Sequence, residues 1–170
     1  ENNIHMVDLF FKICHMPRMF EWNYMHHWAL EYACVDIDGV LCEDPTIIEN
    51  DDGKRYDEFL KNARPKFIPT KRIGYIVTTR LEKYRQETEG WLKKYNIQYD
   101  NLVMVNLPSG KDRIKNLNHG LFKAEVFKKT NCSIFIESSY EQAIEICKVS
   151  EKQVFCVENR QLISPDGVKA

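Results

Sequence analysis

Two aspartates set two residues apart, Asp36 and Asp38, close a short apolar run at 32–37 and are followed at once by Gly39. In extended chain, residues two apart face the same side, so both carboxylates are delivered together. Gly39 lets the backbone turn sharply straight after them. Two acids brought together away from water are costly unless a positive group joins them. A pair of surface acids capping a turn is the plain alternative, but a wholly apolar run leading directly into D-x-D-G speaks against it. A second apolar run, 73–78, leads into Thr79 and Arg80 just ahead of a helical pattern. Hydroxyls and amides at such a place bind anions, and a Thr there is as readily an ordinary helix cap. Lys123 stands 14 residues before Glu137, which closes a fourth run and is followed by Ser138 and Ser139. A lone lysine on a helix is usually solvated, so Lys123 gains meaning only beside the acids.

The elements that must position these groups are legible in the apolar pattern. Runs at about 33–37, 73–78, 102–105, 133–137 and 153–157 are short, apolar and partly β-branched, as strands buried on both faces are. Helical spacing joins Leu81, Tyr84, Thr88, Trp91, Leu92 and Tyr95, then Leu121, Phe122, Val126 and Phe127, then Tyr140, Ala143, Ile144 and Cys147. Ser138-x-x-Glu141 reads as a capping box that starts the last of these helices. Strand and helix alternating in this way predict an α/β fold: a three-layer α/β/α sandwich around a five-stranded parallel sheet. Such folds place their chemistry at the carboxyl ends of the strands, where the acids, Thr78 and Glu137 all fall.

Composition narrows the function classes. The chain has 170 residues, one ordinary domain's worth, and 24 basic against 25 acidic residues give a net charge of -1. That balance argues against a protein that coats long nucleic acid by bulk charge. No apolar run reaches the roughly 20 residues of a membrane helix. No signal peptide is visible and position 1 is Glu, which reads as a processed or excised chain. The six cysteines form no C-x-x-C pair, and Cys34, Cys132, Cys147 and Cys156, inside apolar stretches, read as small buried hydrophobes in a reducing, cytoplasmic setting. Residues 1–30 form an aromatic-rich arm, with Phe10, Phe11, Phe20, Trp22, Tyr24 and Trp28, expected to pack on a domain spanning 31–170. Its adjacent His26 and His27 point about 100° apart on a helix and lack a spaced partner for a metal. Lys111, Arg113 and Lys115 make a basic loop, suited to contact a phosphorylated partner or simply to be solvated, and Ser109-Gly110-Lys111 lacks the upstream glycine and following Ser/Thr of a phosphate loop.

The four motifs, in this order, resemble those of the haloacid dehalogenase-like (HAD) hydrolase superfamily. The resemblance covers about residues 31 to 163. It implies Asp36 as nucleophile, Asp38 as general acid/base, Thr78 with Thr79 and Lys123 as phosphate-binding groups, and Glu137 as the last acid. It also implies a magnesium ion held by Asp36, the backbone carbonyl of Asp38, and Glu137. More narrowly, Phe20–Asn23, Asp36–Pro45, Asn50–Gly53, Thr78–Arg85 and Phe135–Ser139 look like a subgroup found behind a phosphoribosyltransferase domain, the partner that resemblance implies. Where many members carry an Asp, often two acids, this chain has Glu137 followed by two serines.

A carboxylate attacks a charged phosphate only where a cation offsets the repulsion, and Mg²⁺, bound by few carboxylates plus water and substrate oxygens, suits that task. The reaction expected is hydrolysis of a phosphorylated small molecule, of nucleotide or phosphosugar type, through an aspartyl-phosphate. The inserts at 43–72 and 80–123 are too short for a large cap domain. Asn50, Asp51, Asp52, Lys54, Arg55 and Tyr56 on the first insert are candidate substrate contacts. An open site of this kind also suits a nucleic-acid end phosphatase, a reading the net charge opposes. The remaining alternative is a non-catalytic module partnering a phosphoribosyltransferase.

Overall fold

The structure is a computed structural model that describes residues 18, 20 and 22–168. The chain builds six strands, β1 (Ala33–Val35), β2 (Ile73–Leu81), β3 (Tyr99–Val105), β4 (Ile134–Glu137), β5 (Gln153–Cys156) and β6 (Gln161–Ile163). Between and after them lie α1 (Lys54–Asn62), α2 (Arg85–Lys94), α3 (Gly110–Asn116), α4 (His119–Lys129), α5 (Tyr140–Ser150) and α6 (Pro165–Val168). They form one α/β unit with a six-stranded, mostly parallel sheet in the order β3-β2-β1-β4-β5-β6. The five parallel strands are those expected from the sequence. The sheet is wider than expected by β6, which runs antiparallel to β5. Its alternation is too short to read, since Gln161 and Leu162 are exposed and Ile163 alone is buried.

Strand alternation divides the interior into two clusters. Ala33, Val35, Ile134, Ile136 and Phe155 face one side, with Tyr56, Phe59 and Leu60 of α1 and Trp91 and Leu92 of α2. Cys34, Phe135, Val154 and Cys156 face the other, with Ala124 and Phe127 of α4 and Ala143, Ile146 and Cys147 of α5. The chain leaves β1 toward β2 and β3 on one side of the sheet, then returns to β4 on the other side of β1. Two neighbouring parallel strands, β1 and β4, therefore send their connections in opposite directions. That is the crevice in which α/β sheets bind ligands.

Helix starts differ from expectation in instructive ways. β2 continues through Thr78 and Thr79 to Leu81, and a short 3₁₀ turn at Glu82–Tyr84 precedes α2. The threonine pair therefore lies within a strand and not at a helix N-terminus. The cap of α5 is Ser139, whose side chain accepts from the Gln142 amide, one residue later than the predicted Ser138 box. The basic stretch 111–115 is the helix α3, capped by Ser109. All five described cysteines are free and buried. Among the described residues, no helix is long and apolar enough to cross a membrane.

Most of the predicted arm, residues 1–17, 19 and 21, lies outside the described residues. In its last part Tyr24, Met25, Ala29 and Leu30 join the core, and Tyr24 packs on the Phe155 ring at 4.9 Å. Trp22 and Trp28 do not pack as expected: they are 76% and 53% exposed. A short 3₁₀ helix at 28–32 turns the buried face toward Ala29 and Leu30 instead, with His27 Nδ1 accepting from the Ala29 amide as its cap. His26 Nδ1 pairs with Thr70 Oγ1 at 2.9 Å, so the two histidines serve separate local contacts.

Phe135 is fully buried in the central β4 and packs edge-on to Phe127 at 5.6 Å, tying α4 to the sheet. Phe135→Ala should lower unfolding free energy by about 3–5 kcal/mol, the usual cost of deleting a core phenyl ring. Urea denaturation checks it, and a loss under about 1 kcal/mol would mean that α4 is held by something else.

Candidate active site

The site is built at the carboxyl ends of β1 and β4. Val35 pairs with Ile136 across the two strands, so the next residues, Asp36 and Glu137, emerge side by side. The Asp36 amide still donates to the Ile136 carbonyl at 3.0 Å. Lys123 reaches down from α4, one helical turn ahead of the buried Phe127 that anchors it. Its Nζ donates to Asp36 Oδ2 at 2.6 Å, to Glu137 Oε2 at 2.7 Å and to Gln142 Oε1 at 2.9 Å. All three of its donors are thereby used, and Lys123 is only 2% exposed. Removing one member of so buried a cluster strands the others, which costs about 3–5 kcal/mol in comparable cases.

Beyond Asp36 the chain turns over the Ile37 carbonyl, which accepts from the amides of Val40, Leu41 and Cys42. Gly39 makes this turn at φ +75, where a β-carbon would lie 2.5 Å from Ser138 Cβ, so only glycine fits. The turn returns Asp38 to face Arg80. That guanidinium is fully buried, and its Nε and one terminal nitrogen grip the two Asp38 oxygens at 3.1 and 2.6 Å. Arg80 lies within the stretch where the β2–β3 register shifts, between Val77 and Leu81.

Asp36, Asp38 and Lys123 line one cavity of about 140 Å³, with Thr79, Ser138 and Gln142 also on its walls. Thr78 does not line it: that side chain is buried, with its hydroxyl accepting from the Arg80 amide at 3.3 Å. Thr79 does line it, and its hydroxyl pairs with His119 Nδ1 at 3.0 Å. Of the first insert, Asn50 and Tyr56 reach the cavity, joined by Asp44, Arg113 and His119. Asp51 instead caps the turn into α1, accepting from Gly53 and Tyr56 amides. Asp52 latches the insert to α3 by accepting from the Gly110 amide at 2.8 Å and the Tyr84 hydroxyl at 2.9 Å.

The charges divide by environment. Burial, together with the charges of Glu137 and Asp38, outweighs Lys123 and pushes the Asp36 carboxyl up to about 7. Burial also opposes ionisation of Asp38, but the Arg80 guanidinium prevails and holds that carboxyl below the usual carboxylate range. Burial and the nearby Asp38 charge raise Asp44. Burial, with the charges of Arg113 and Lys123, lowers His119 and keeps it neutral at pH 7.

Asp36, Asp38 and Asp44 bring oxygen donors to the cavity wall, and the Asp38 carbonyl accepts from the Ser138 hydroxyl at 3.2 Å. Oxygen donors with few carboxylates fit Mg²⁺. Glu137 is engaged otherwise: Oε1 accepts from the Ser138 and Ser139 amides at 3.0 and 3.2 Å, and Oε2 faces Lys123. Among the described residues no set of three or more His, Cys, Asp or Glu side chains is gathered for a metal. A cation would thus rest on Asp36, a main-chain oxygen and its own ligands, with Glu137 behind.

No protein-family model matches the chain, and no curated protein sequence does. Solved structures similar to it include these two. One, described as the structure of a Pnkp1/Rnl/Hen1 complex, is 20% identical with a TM-score of 0.50, covering 74% of this chain and 44% of that one. The other, described as the Pnkp1/Rnl/Hen1 RNA repair complex, is 21% identical with a TM-score of 0.47, covering 74% and 41%. The chain spans less than half the length of either. The first likeness places the chain in a shared α/β fold.

Arg80, Gln142, His119 and Asp44 were not marked as site residues by the sequence, and Arg113 was marked only as one member of a basic run. Arg80 alone carried a local signal, being the residue that follows Thr78-Thr79 at a strand end.

The sign of the pH dependence follows from Asp36. Its folded value, about 7, lies above the ordinary 3.8, so between these limits the native state binds more protons than the unfolded chain. Its contribution to stability is present below the ordinary value and is lost as pH rises toward about 7. In metal-free buffer, Asp36→Asn should therefore gain stability relative to the native protein between pH 5 and pH 8. Urea unfolding at both pH values tests this, and an unchanged difference would mean Asp36 ionises normally.

Proposed function

We propose that the protein is a Mg²⁺-dependent phosphohydrolase of HAD-like type that works through an aspartyl-phosphate at Asp36. The observation that carries this reading is the convergence of Asp36, Asp38 and Lys123 on one small polar cavity, with the buried Glu137 behind it holding Lys123. The cavity has room for about five waters at roughly 30 Å³ each. It admits a phosphoryl group, and the body of a substrate must lie outside it.

In the first step an Asp36 carboxylate oxygen attacks phosphorus as the ester bond breaks. The departing oxygen takes a proton from Asp38. Arg80 makes the protonated form of Asp38 scarcer and, by the same interaction, a stronger acid. Once ionised, Asp38 is the base that takes a proton from water as it attacks the phosphorus. The P–O bond to Asp36 then breaks, and inorganic phosphate leaves with the carboxylate restored. Lys123 keeps Asp36 oriented and offsets charge beside the phosphoryl oxygens, and Thr79 offers a hydroxyl on the cavity wall. When bound, Mg²⁺ would neutralise phosphoryl charge, held by Asp36 and the Asp38 carbonyl.

A phosphorylated small molecule of nucleotide or phosphosugar type is the substrate this reading favours. Between β1 and β2 the cavity is covered only by a loop and the nine-residue α1, and this openness supports a second reading, a nucleic-acid end phosphatase. The fold likeness to a chain of the Pnkp1/Rnl/Hen1 complex is compatible with that second reading. A phosphoribosyltransferase partner remains a proposal resting on the sequence resemblance alone.

Asp36→Asn should abolish release of phosphate from a panel of phosphate monoesters and 3′- or 5′-phosphorylated oligonucleotides, with a rate loss of about a thousandfold or more. Turnover like that of the native protein would exclude Asp36 as nucleophile. Glu137→Gln removes one of the two charges facing Lys123. It should raise the Mg²⁺ concentration for half-maximal activity more than it changes turnover at saturating metal. Superimposable titrations would remove Glu137 from the metal's surroundings.

A further inference from the structure

Part of the cavity wall is not accounted for by hydrolysis of a lone phosphoryl group. It consists of Asn50 and Tyr56 from the first insert, Thr79, Arg113 and His119. Arg113 dominates it. This guanidinium is 8% exposed, and its terminal nitrogens donate to the Thr79 carbonyl at 3.1 Å and the Asn50 side-chain oxygen at 3.2 Å. Both acceptors are neutral, and Nε has no hydrogen-bond partner. A buried arginine is normally held against a carboxylate, because burying its charge is otherwise costly. Here the positive charge is fixed on a cavity wall by uncharged groups.

The sequence suggests no other purpose for it. Lys111 and Lys115, its neighbours in the basic run, are exposed, as is Ile114. Arg113 alone of that run turns inward, and α3 is clamped in place by the Asp52–Gly110 bond.

We propose that Arg113, with Asn50 and Tyr56 beside it, binds a second anionic group of the substrate, so that the preferred substrate is a phosphate monoester carrying another phosphate close by. The inference rests on the phosphohydrolase reading and names its substrate class. The second phosphate can be the free one of a nucleoside bisphosphate or the diester next to a phosphorylated strand end; both present an anion to the same guanidinium. Charge-assisted hydrogen bonds to arginine discriminate strongly between a substrate that has this group and one that lacks it.

Binding is measured by calorimetry on the full chain in EDTA, where no turnover occurs. The probes are adenosine 3′,5′-bisphosphate, the 3′- and 5′-monophosphates, and an adenosine dinucleotide with a 3′-phosphate. The native protein should bind the bisphosphate or the dinucleotide about tenfold or more tightly than the monophosphates, the equivalent of about 1.4 kcal/mol. Arg113→Gln should erase that preference, and Arg113→Lys, which keeps the charge, should retain part of it. A gain for the dinucleotide identifies a strand end as the source, and a gain for the bisphosphate alone identifies a small molecule.

Equal affinity for mono- and bisphosphate in the native protein would overturn the inference. So would an equal loss for every probe in both variants, which is what a purely structural Arg113 would give. Phosphate release from the monophosphates with Mg²⁺, measured separately, shows whether the phosphohydrolase reading stands when this one fails.

Discussion

Everything at the site depends on one lysine ammonium held out of water between two carboxylates. Lys123 can be charged at that depth only because Asp36 and Glu137 stand within 2.7 Å of it, with Gln142 taking its third proton. Those acids can be adjacent only because β1 and β4 are neighbours in matched register. Lys123 arrives at the right height only because Phe127 and Ala124 seat α4 on the Cys34–Phe135 face of the sheet. Topology, core packing and site electrostatics are thus one constraint seen at three scales. The arrangement also leaves Asp36 short of full neutralisation. One ammonium serves two buried acids, and the residual repulsion appears in the raised Asp36 value of about 7. A site in this condition gains from a further cation or from a phosphoryl group that brings one.

The two aspartates of the D-x-D-G turn receive opposite treatment. Asp36 shares a cation and is harder to ionise, whereas Asp38 has Arg80 to itself and is easier to ionise. Two carboxylates whose environments push them apart are the usual basis for distinct roles in one reaction. The chain makes that difference with Arg80, which lies at the register shift in β2 and grips both Asp38 oxygens. No cation other than Arg80 hydrogen-bonds Asp38 among the described residues, so this irregularity is part of the site rather than a blemish in the sheet.

What was legible in the sequence was whatever repeats with a period or stands at a strand end. The five parallel strands, the α4 and α5 helices, and the positions of Asp36, Asp38, Lys123 and Glu137 follow from apolar spacing and from acids that close apolar runs. Three kinds of feature were not legible. The shift in β2 has no compositional mark, so Thr78 and Thr79 looked like a helix start when they continue a strand. Arg113 sits among Lys111 and Lys115, and a basic run shows no sign of which member turns inward; α3 decides that by its phase. Trp22 and Trp28 look like core by size, but the 3₁₀ turn at 28–32 buries the smaller Ala29 and Leu30 instead. β6 escaped because three residues with one buried side chain carry no period.

The central claim is that Asp36 itself becomes phosphorylated. The most direct measurement is rapid acid quenching of the protein mixed with Mg²⁺ and a phosphate monoester labelled in its phosphoryl group, followed by proteolysis and mass spectrometry. Acid preserves an acyl phosphate that would hydrolyse at neutral pH. The account predicts label on the peptide bearing Asp36, appearing before free phosphate and absent from Asp36→Asn. Phosphate released at the same rate with no covalent label, or label on another residue, would contradict it.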